Sequence, residues 1–282
     1  MINEFCITIL QFLLPKYFLT KIANILANCE VIWIKNLLIK YFLNKYPVDL
    51  NAAANRSIAS YKCFNDFFIR KLRPECRPIS TNGIVAPVDG TISQCSVITN
   101  NKFLQAKNHT YTINELLACS ALSFTNGIFA TFYLAPKDYH RIHAPIDATV
   151  RRMIYIPGKL FSVQPATTKL LPKLFSENRR VVIFFDTPVG LMAMVLVGAV
   201  IVGSIATAWH GEFADHKEIM HYDYTNHTPK ITLKTGEELG YFKLGSTVIL
   251  LFANQQNINW LSNIKNNHNI QYGQAIATIL NQ

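Results

Sequence analysis

Between Thr187 and Trp209 lie 23 consecutive residues without a single charge. Hydropathy alone assigns such a run to a transmembrane helix. Its composition argues otherwise: Gly190, Gly198 and Gly203 interrupt it, and valines and isoleucines cluster around them. That pattern suits consecutive strands, buried on both faces and joined at glycine bends. The preceding run, Arg180-Val-Val-Ile-Phe-Phe-Asp186, is also strand-like and ends in a turn signal, Asp-Thr-Pro-Val-Gly. A buried β core is therefore expected here rather than a membrane span.

The N-terminal part reads differently. Residues 5–14 are apolar and stop at Pro15, and residues 17–43 mix aliphatic and aromatic side chains with Lys21, Glu30, Lys35 and Lys40. Ile22, Ile25 and Leu26, then Ile34, Leu37, Leu38 and Tyr41, follow helical spacing. No uninterrupted run there reaches the roughly 18–20 residues that a bilayer span needs. Amphipathic helices in the lipid interface, with lysines snorkelling outward, are expected. The same helices packed on the core are the other reading, and the two are compatible. The division that follows is a membrane-associating helical segment over 1–60 and a catalytic domain over 61–282. The fold class is α+β, with N-terminal amphipathic helices before a mainly antiparallel β domain.

With 27 Lys and Arg against 17 Asp and Glu, the formal charge is +10, and half of the residues are hydrophobic. A basic, greasy chain suits an anionic partner. The basic residues are scattered among apolar ones without a nucleic-acid motif, so an anionic membrane surface is preferred to nucleic acid. Charge serving solubility alone is the plainer alternative. The six cysteines show no Cys-x-x-Cys spacing and none follows Cys119. That argues against a zinc ribbon or a disulfide scaffold and fits a reducing, cytoplasmic-side location. The first charge is Glu4 and Lys16 follows the apolar run, which does not read as a cleaved secretory signal. His210, His216, His221 and His227 are spaced by six, five and six residues, unlike the tight pairs of metal sites. An exposed polar loop without metal is expected there.

Three segments carry candidate chemistry. Leu244-Gly245-Ser246-Thr247 stands between Glu238–Lys243 and the apolar run Val248–Phe252. A serine after glycine, at the mouth of an apolar strand, can attack its own upstream carbonyl; a simple glycine turn is the other reading. Asp89 lies in Val85-Ala-Pro-Val-Asp-Gly-Thr-Ile92, and His140 and His143 lie in Lys137-Asp-Tyr-His-Arg-Ile-His-Ala-Pro145. Together they supply a nucleophile, a base and an orienting carboxylate. The two histidines face opposite sides if on a strand, and nearly the same side if on a helix. Ala86-Pro-Val-Asp-Gly-Thr-Ile92 is echoed 58 residues later by Ala144-Pro-Ile-Asp-Ala-Thr-Val150. The echo suggests two strand–Asp turn–strand units, with Asp147 as the structural counterpart of Asp89.

The chain resembles bacterial membrane-associated phosphatidylserine decarboxylases. The resemblance rests on Phe64-Asn-Asp-Phe-Phe-Ile-Arg-Lys-Leu-Arg-Pro74, Arg77-Pro-Ile79, Ala86-Pro-Val-Asp-Gly90, Tyr139-His-Arg-Ile-His143, Tyr155-Ile-Pro-Gly-Lys-Leu-Phe-Ser-Val163, Val197–Ile205 and Phe242-Lys-Leu-Gly-Ser-Thr247. It implies self-cleavage between Gly245 and Ser246 into chains 1–245 and 246–282, with Ser246 becoming a covalent pyruvoyl group. It implies decarboxylation of phosphatidylserine to phosphatidylethanolamine and CO2 through a Schiff base, with no metal. Asp89, His143 and Ser246 are the implied triad, and His140 the residue assisting decarboxylation or reprotonation. A homodimer, a heterodimer of the cleaved chains and a peripheral location on the cytoplasmic face of the bacterial cell membrane are also implied. Two other classes are weighed against this: a serine hydrolase keeping Ser246 intact, though without a Gly-x-Ser-x-Gly elbow, and a lipid-surface binding module.

Overall fold

A computed structural model describes residues 16–99, 102–106, 109–200, 204–213, 215–243 and 246–280. Two helices come first, α1 (Lys16–Ala27) and α2 (Ile32–Lys45). Their inner side packs on α3 (Phe64–Phe68) through an aromatic cluster of Phe42, Tyr61, Phe64, Phe67 and Phe68. The Phe42 ring stands edge-on to Phe64 at 5.3 Å and to Phe67 and Phe68 at 5.9 Å. Phe18, Ile25, Ile32, Trp33, Leu37 and Tyr41 remain exposed on the other side. The helices are thus apolar on both sides: one side packs on the core, and the other is exposed. One lysine departs from the snorkelling expectation. Lys35 is only 4% exposed, and its Nζ donates to the carbonyls of Ile58, Ala59 and Tyr61. An inward ammonium is tolerated because three carbonyls replace its water. No single helix among the described residues is long and apolar enough to cross a membrane.

The rest is built on a nine-stranded antiparallel sheet. Its order is β12 (Met220–Asp223), β7 (Ala148–Ile156), β8 (Arg180–Thr187), β9 (Gly190–Gly198), β15 (Ser246–Phe252), β5 (Ile128–Leu134), β2 (Gly90–Val97) and β17 (His268–Ile270), with β13 (Thr232–Leu233) also pairing with β7. The long uncharged run thus holds strands, β9 and then β10 (Ser204–Thr207), while residues 201–203 lie outside the described residues. Its unbroken hydrophobicity has a direct cause. Met192, Met194 and Leu196 enter the core on one face of the sheet, and Ala193, Val195 and Val197 enter the core on the other. Neighbouring β15 does the same with Val248, Leu250 and Phe252 against Ile249 and Leu251. Strands covered on both faces lose the polar alternation of a half-exposed sheet.

One face is covered by two small sheets. These are β11 (Gly211–Glu212), β10, β14 (Glu238–Lys243) and β6 (Arg141–His143), and β1 (Ile84–Val85), β18 (Ala275–Ile279) and β16 (Ile258–Trp260). The other face is covered by α4 (Ile113–Leu117), α6 (Leu174–Glu177) and nearby side chains such as Phe124; α5 (Pro165–Leu170) and the hairpin of β3 (Lys102–Ala106) and β4 (His109–Thr112) lie in the same part of the chain. Helices followed by mostly antiparallel strands make this the expected α+β class.

The faint repeat is a structural one. Val85 N–H donates to Pro145 O at 2.9 Å, and its counterpart His143 N–H donates to Pro87 O at 2.8 Å. Ala86 N–H donates to Gln274 O and Ala144 N–H to Glu237 O; Gly273 N–H donates to Ala86 O and Gly236 N–H to Ala144 O. These reciprocal bonds relate β1–β2 with β18 to β6–β7 with β14 by a local two-fold. Asp147 fills the structural role expected of it, accepting from Thr235 N–H and Oγ at 2.8 and 2.9 Å and from Lys234 Nζ at 2.9 Å. Those bonds, the lysine first, hold its carboxyl down at about 2.

The histidine-bearing segment is largely exposed, as expected, but is not all loop. Residues 220–223 are strand β12 on the sheet edge. The His210 ring stacks on Phe213 at 4.6 Å and meets Tyr222 edge-on at 4.5 Å. His210 is exposed, and its ring also contacts aromatic neighbours that spacing alone does not show. No group of three metal-ligating side chains occurs among the described residues.

Candidate active site

Ser246 opens β15, flanked by Leu134 of β5 and Gly198 of β9. It is 0% exposed, and its Oγ has no hydrogen-bond partner among the described residues. An unsatisfied buried hydroxyl costs about 1–3 kcal/mol, so structure alone gives no reason to keep a serine here. The residue borders a cavity of about 500 Å³ that also takes walls from Phe68, Leu134, Val163 and Ala199. Leu26 and Tyr41, on the exposed helix surface, line the same cavity. The cavity therefore runs from a buried hydroxyl towards the apolar face of α1 and α2. Leu244 and Gly245, beyond the expected scissile bond, lie outside the described residues.

His140 immediately precedes β6 and is fully buried. Its ring lies 4.2 Å from that of Phe68, a wall of the cavity. Nδ1 donates to Asp138 O at 2.9 Å, which fixes the tautomer and leaves Nε2 as a bare acceptor without a partner. Burial, with the Arg70 charge adding to it, pushes its pKa down to about 3 against the pull of the Asp138 carbonyl. His140 is thus a neutral imidazole. Arg70 Nη2 donates to Lys137 O at 3.1 Å and so ties α3 to the turn that carries His140.

His143 ends β6 in a different environment, as two positions three apart on a strand should. Its ring stacks on Tyr272 at 3.9 Å with planes 7° apart, and Tyr139 stacks on both. Nδ1 donates to Gly236 O at 2.9 Å, and Nε2 accepts from Tyr139 O–H at 3.1 Å. Burial lowers its pKa, partly offset by that carbonyl and by the Glu238 and Asp89 charges.

Asp89 is held by Arg77, whose Nη2 donates at 2.6 Å and Nε at 3.1 Å, and by Tyr272 N–H at 2.9 Å. Asp89 and His143 are therefore not hydrogen-bonded to one another. Tyr272 joins them instead, giving its backbone N–H to the carboxylate and its ring to the imidazole. The structure brings Ser246 to the cavity, His140 against its Phe68 wall, and Asp89 and His143 to either side of Tyr272. Arg77, Tyr139 and Tyr272 escaped selection as site residues. Arg77 and Tyr139 stand inside the quoted motifs, whereas Tyr272 lies in an Asn- and Gln-rich tail whose sequence carries no chemical signal.

A sequence model of the family described as phosphatidylserine decarboxylase matches residues 64–278, and one described as PSD matches residues 6–47. A phosphatidylserine decarboxylase proenzyme of Legionella pneumophila (strain Corby) is 50% identical over 275 residues, covering 96% of this chain and 97% of the relative. Proenzymes of the same name from a Polaromonas species and from Shewanella frigidimarina are 48% identical over 248 residues and 44% identical over 281 residues; they cover 86% and 97% of this chain and 87% and 98% of their own lengths. Similarity of this extent, running through the helices and the sheet alike, makes the chain a member of the phosphatidylserine decarboxylase family.

Proposed function

We propose that the chain is a self-processing decarboxylase of phosphatidylserine, yielding phosphatidylethanolamine and CO2. The observation that carries this is the buried, unpartnered hydroxyl of Ser246 beside a cavity open to an apolar helix face. In self-processing, Oγ attacks the Gly245 carbonyl and the peptide bond becomes an ester. Elimination then releases Gly245 as a carboxylate and leaves a dehydroalanine, whose hydrolysis releases ammonia and leaves a ketone at position 246. A pyruvoyl group there fits the surroundings: no side chain competes for the position, and the cavity admits an amine-bearing headgroup. Once formed, the group supplies the electron sink that carboxylate loss requires, as a pyridoxal would.

The protein's own residues divide the remaining work. His143 with Asp89 is the proposed base for the serine proton. The Tyr139 O–H must leave Nε2 before that nitrogen can accept it, so maturation entails a rearrangement of the ring stack that brings His143 to Ser246. His140, neutral and bare at Nε2, accepts a hydrogen bond from the substrate; to assist reprotonation it first takes up a proton at Nε2 and then passes it to the reacting carbon. Phe68, Val163 and Leu134 keep water away from the bond being broken. The exposed apolar residues of α1 and α2, with the overall positive charge, support a peripheral position on an anionic membrane, at the cytoplasmic face. A homodimer of cleaved pairs belongs to the same proposal.

Denaturing mass spectrometry of the purified protein tests the proposal. Two chains are expected, the shorter of 37 residues with a blocked N-terminus, and Ser246→Ala should give one intact chain without decarboxylation. An active preparation with residues 245 and 246 still joined by an amide overturns it, and points to the hydrolase instead.

A further inference from the structure

The cavity at Ser246 is apolar apart from a few groups, and Lys45 is its sole formally charged wall among the described residues. Lys45 is exposed and stands in the last turn of α2. Its ammonium lies 5.6 Å from the Tyr46 ring and 5.9 Å from the Tyr41 ring, and no carboxylate pairs with it among the described residues. The cavity has a direction. Ser246 is at the buried end, and Leu26 and Tyr41 open onto the lipid-like face. An amphiphile whose amine meets position 246 must place its chains towards that face. In a serine phospholipid the phosphodiester lies between the two, a few bonds from the amine, and carries a full negative charge. A charge in an apolar cavity demands a counter-ion.

We propose that Lys45 is the phosphodiester contact of the substrate, and that it selects serine lipids bearing a phosphate over serine amphiphiles without one. The inference rests on the function proposed above. A lysine suits the task, because its flexible stem can follow a headgroup at a membrane surface as a point charge. Its two tyrosines hold the ammonium over their ring faces. The plainer role, a cation complementing the C-terminal dipole of α2, affects stability and not substrate affinity.

The experiment compares Lys45→Gln, Lys45→Arg and Lys62→Gln, the last removing an exposed charge outside the cavity. Processing at Ser246 is checked first, by mass. Decarboxylation is then followed in non-ionic mixed micelles with the mole fraction of phosphatidylserine varied. Lys45→Gln should raise KM at least about tenfold, the loss of one charge-assisted contact, with kcat little changed and Tm retained. Lys45→Arg should recover most of the affinity, and Lys62→Gln should match the parent. Inhibition by a long-chain O-alkyl serine, which keeps the amine and carboxylate but has no phosphate, should be equal in the parent and Lys45→Gln. An unchanged KM in processed Lys45→Gln, or an equal loss towards the O-alkyl serine, overturns the assignment and leaves the decarboxylase reading standing. Failure of the parent itself to process at 246 overturns both.

Discussion

His140 shows how burial, more than any neighbouring charge, sets a residue's chemistry. The imidazole is sealed beneath Phe68 with one nitrogen tied to Asp138 O, and its pKa falls to about 3. In the unfolded chain it titrates near 6.5. Between these values the unfolded state binds the extra proton, so this group's contribution favours folding above about 6.5 and is lost as pH falls towards 3. The loss from pH 7.5 to pH 5 amounts to about 2 kcal/mol from His140 alone, and His143, lowered in the same direction, adds to it. Thermal unfolding across that range should show a falling Tm, and His140→Gln should flatten the slope. A slope unaltered by that substitution would place the proton uptake elsewhere. The sequence announced this histidine through its motif but not its charge state, because neither Phe68 nor Arg70 is near it in the chain. The same holds for Asp89: its position was legible, while its pairing with Arg77 and the Tyr272 N–H arises only when distant segments meet.

The elements around the cavity owe their positions to a few buried polar clamps. Asn178, fully buried, accepts from Phe161 N–H at 3.0 Å through Oδ1 and donates through Nδ2 to Phe161 O at 2.8 Å and Gly198 O at 2.9 Å. Gly198 is the residue beside Ser246 in the sheet. One side chain therefore fixes the loop bearing Ser162 and Val163 to the strand next to Ser246. Asn178→Leu removes three buried hydrogen bonds to the backbone, at about 0.5–1.5 kcal/mol each. A stability loss of about 3 kcal/mol in denaturant unfolding is expected, with slower processing at Ser246. A loss within experimental error would mean that the loop is held by its apolar contacts alone. Apolar patterning found β8, β9 and β15, because two-sided burial leaves a continuous apolar signature. It could not find this clamp, since a buried asparagine has no pattern. It also misjudged the Lys35 ammonium, whose carbonyl partners begin 23 residues downstream.

Across the whole molecule, the local two-fold explains where chemistry collects. Each copy supplies a turn aspartate, and in each copy a backbone N–H binds it, from Thr235 for Asp147 and from Tyr272 for Asp89. The candidate site lies where the copies diverge, with His143 standing opposite Val85 and Tyr272 opposite Thr235. One copy holds its aspartate with Lys234 and Thr235, and the other with Arg77 and the N–H of Tyr272, whose ring stacks on His143; the cavity at Ser246 leads out separately, to α1 and α2. The exit matters because the substrate is insoluble in water. Trp33 and Leu37 are 69% and 62% exposed on that face, so replacing them costs the fold little. Each buried apolar side chain is worth about 1.5–3 kcal/mol of transfer, and Trp33→Ser with Leu37→Ser should weaken binding to anionic vesicles by at least about a hundredfold. Cosedimentation measures this, and added salt should weaken the parent's binding further as the chain's +10 charge is screened. Tm should stay within a degree or two, and activity on a detergent-dispersed short-chain substrate should persist. Equal partitioning of parent and double variant would mean that this apolar face meets protein rather than lipid, and the same sedimentation run would show it as a change in assembly size.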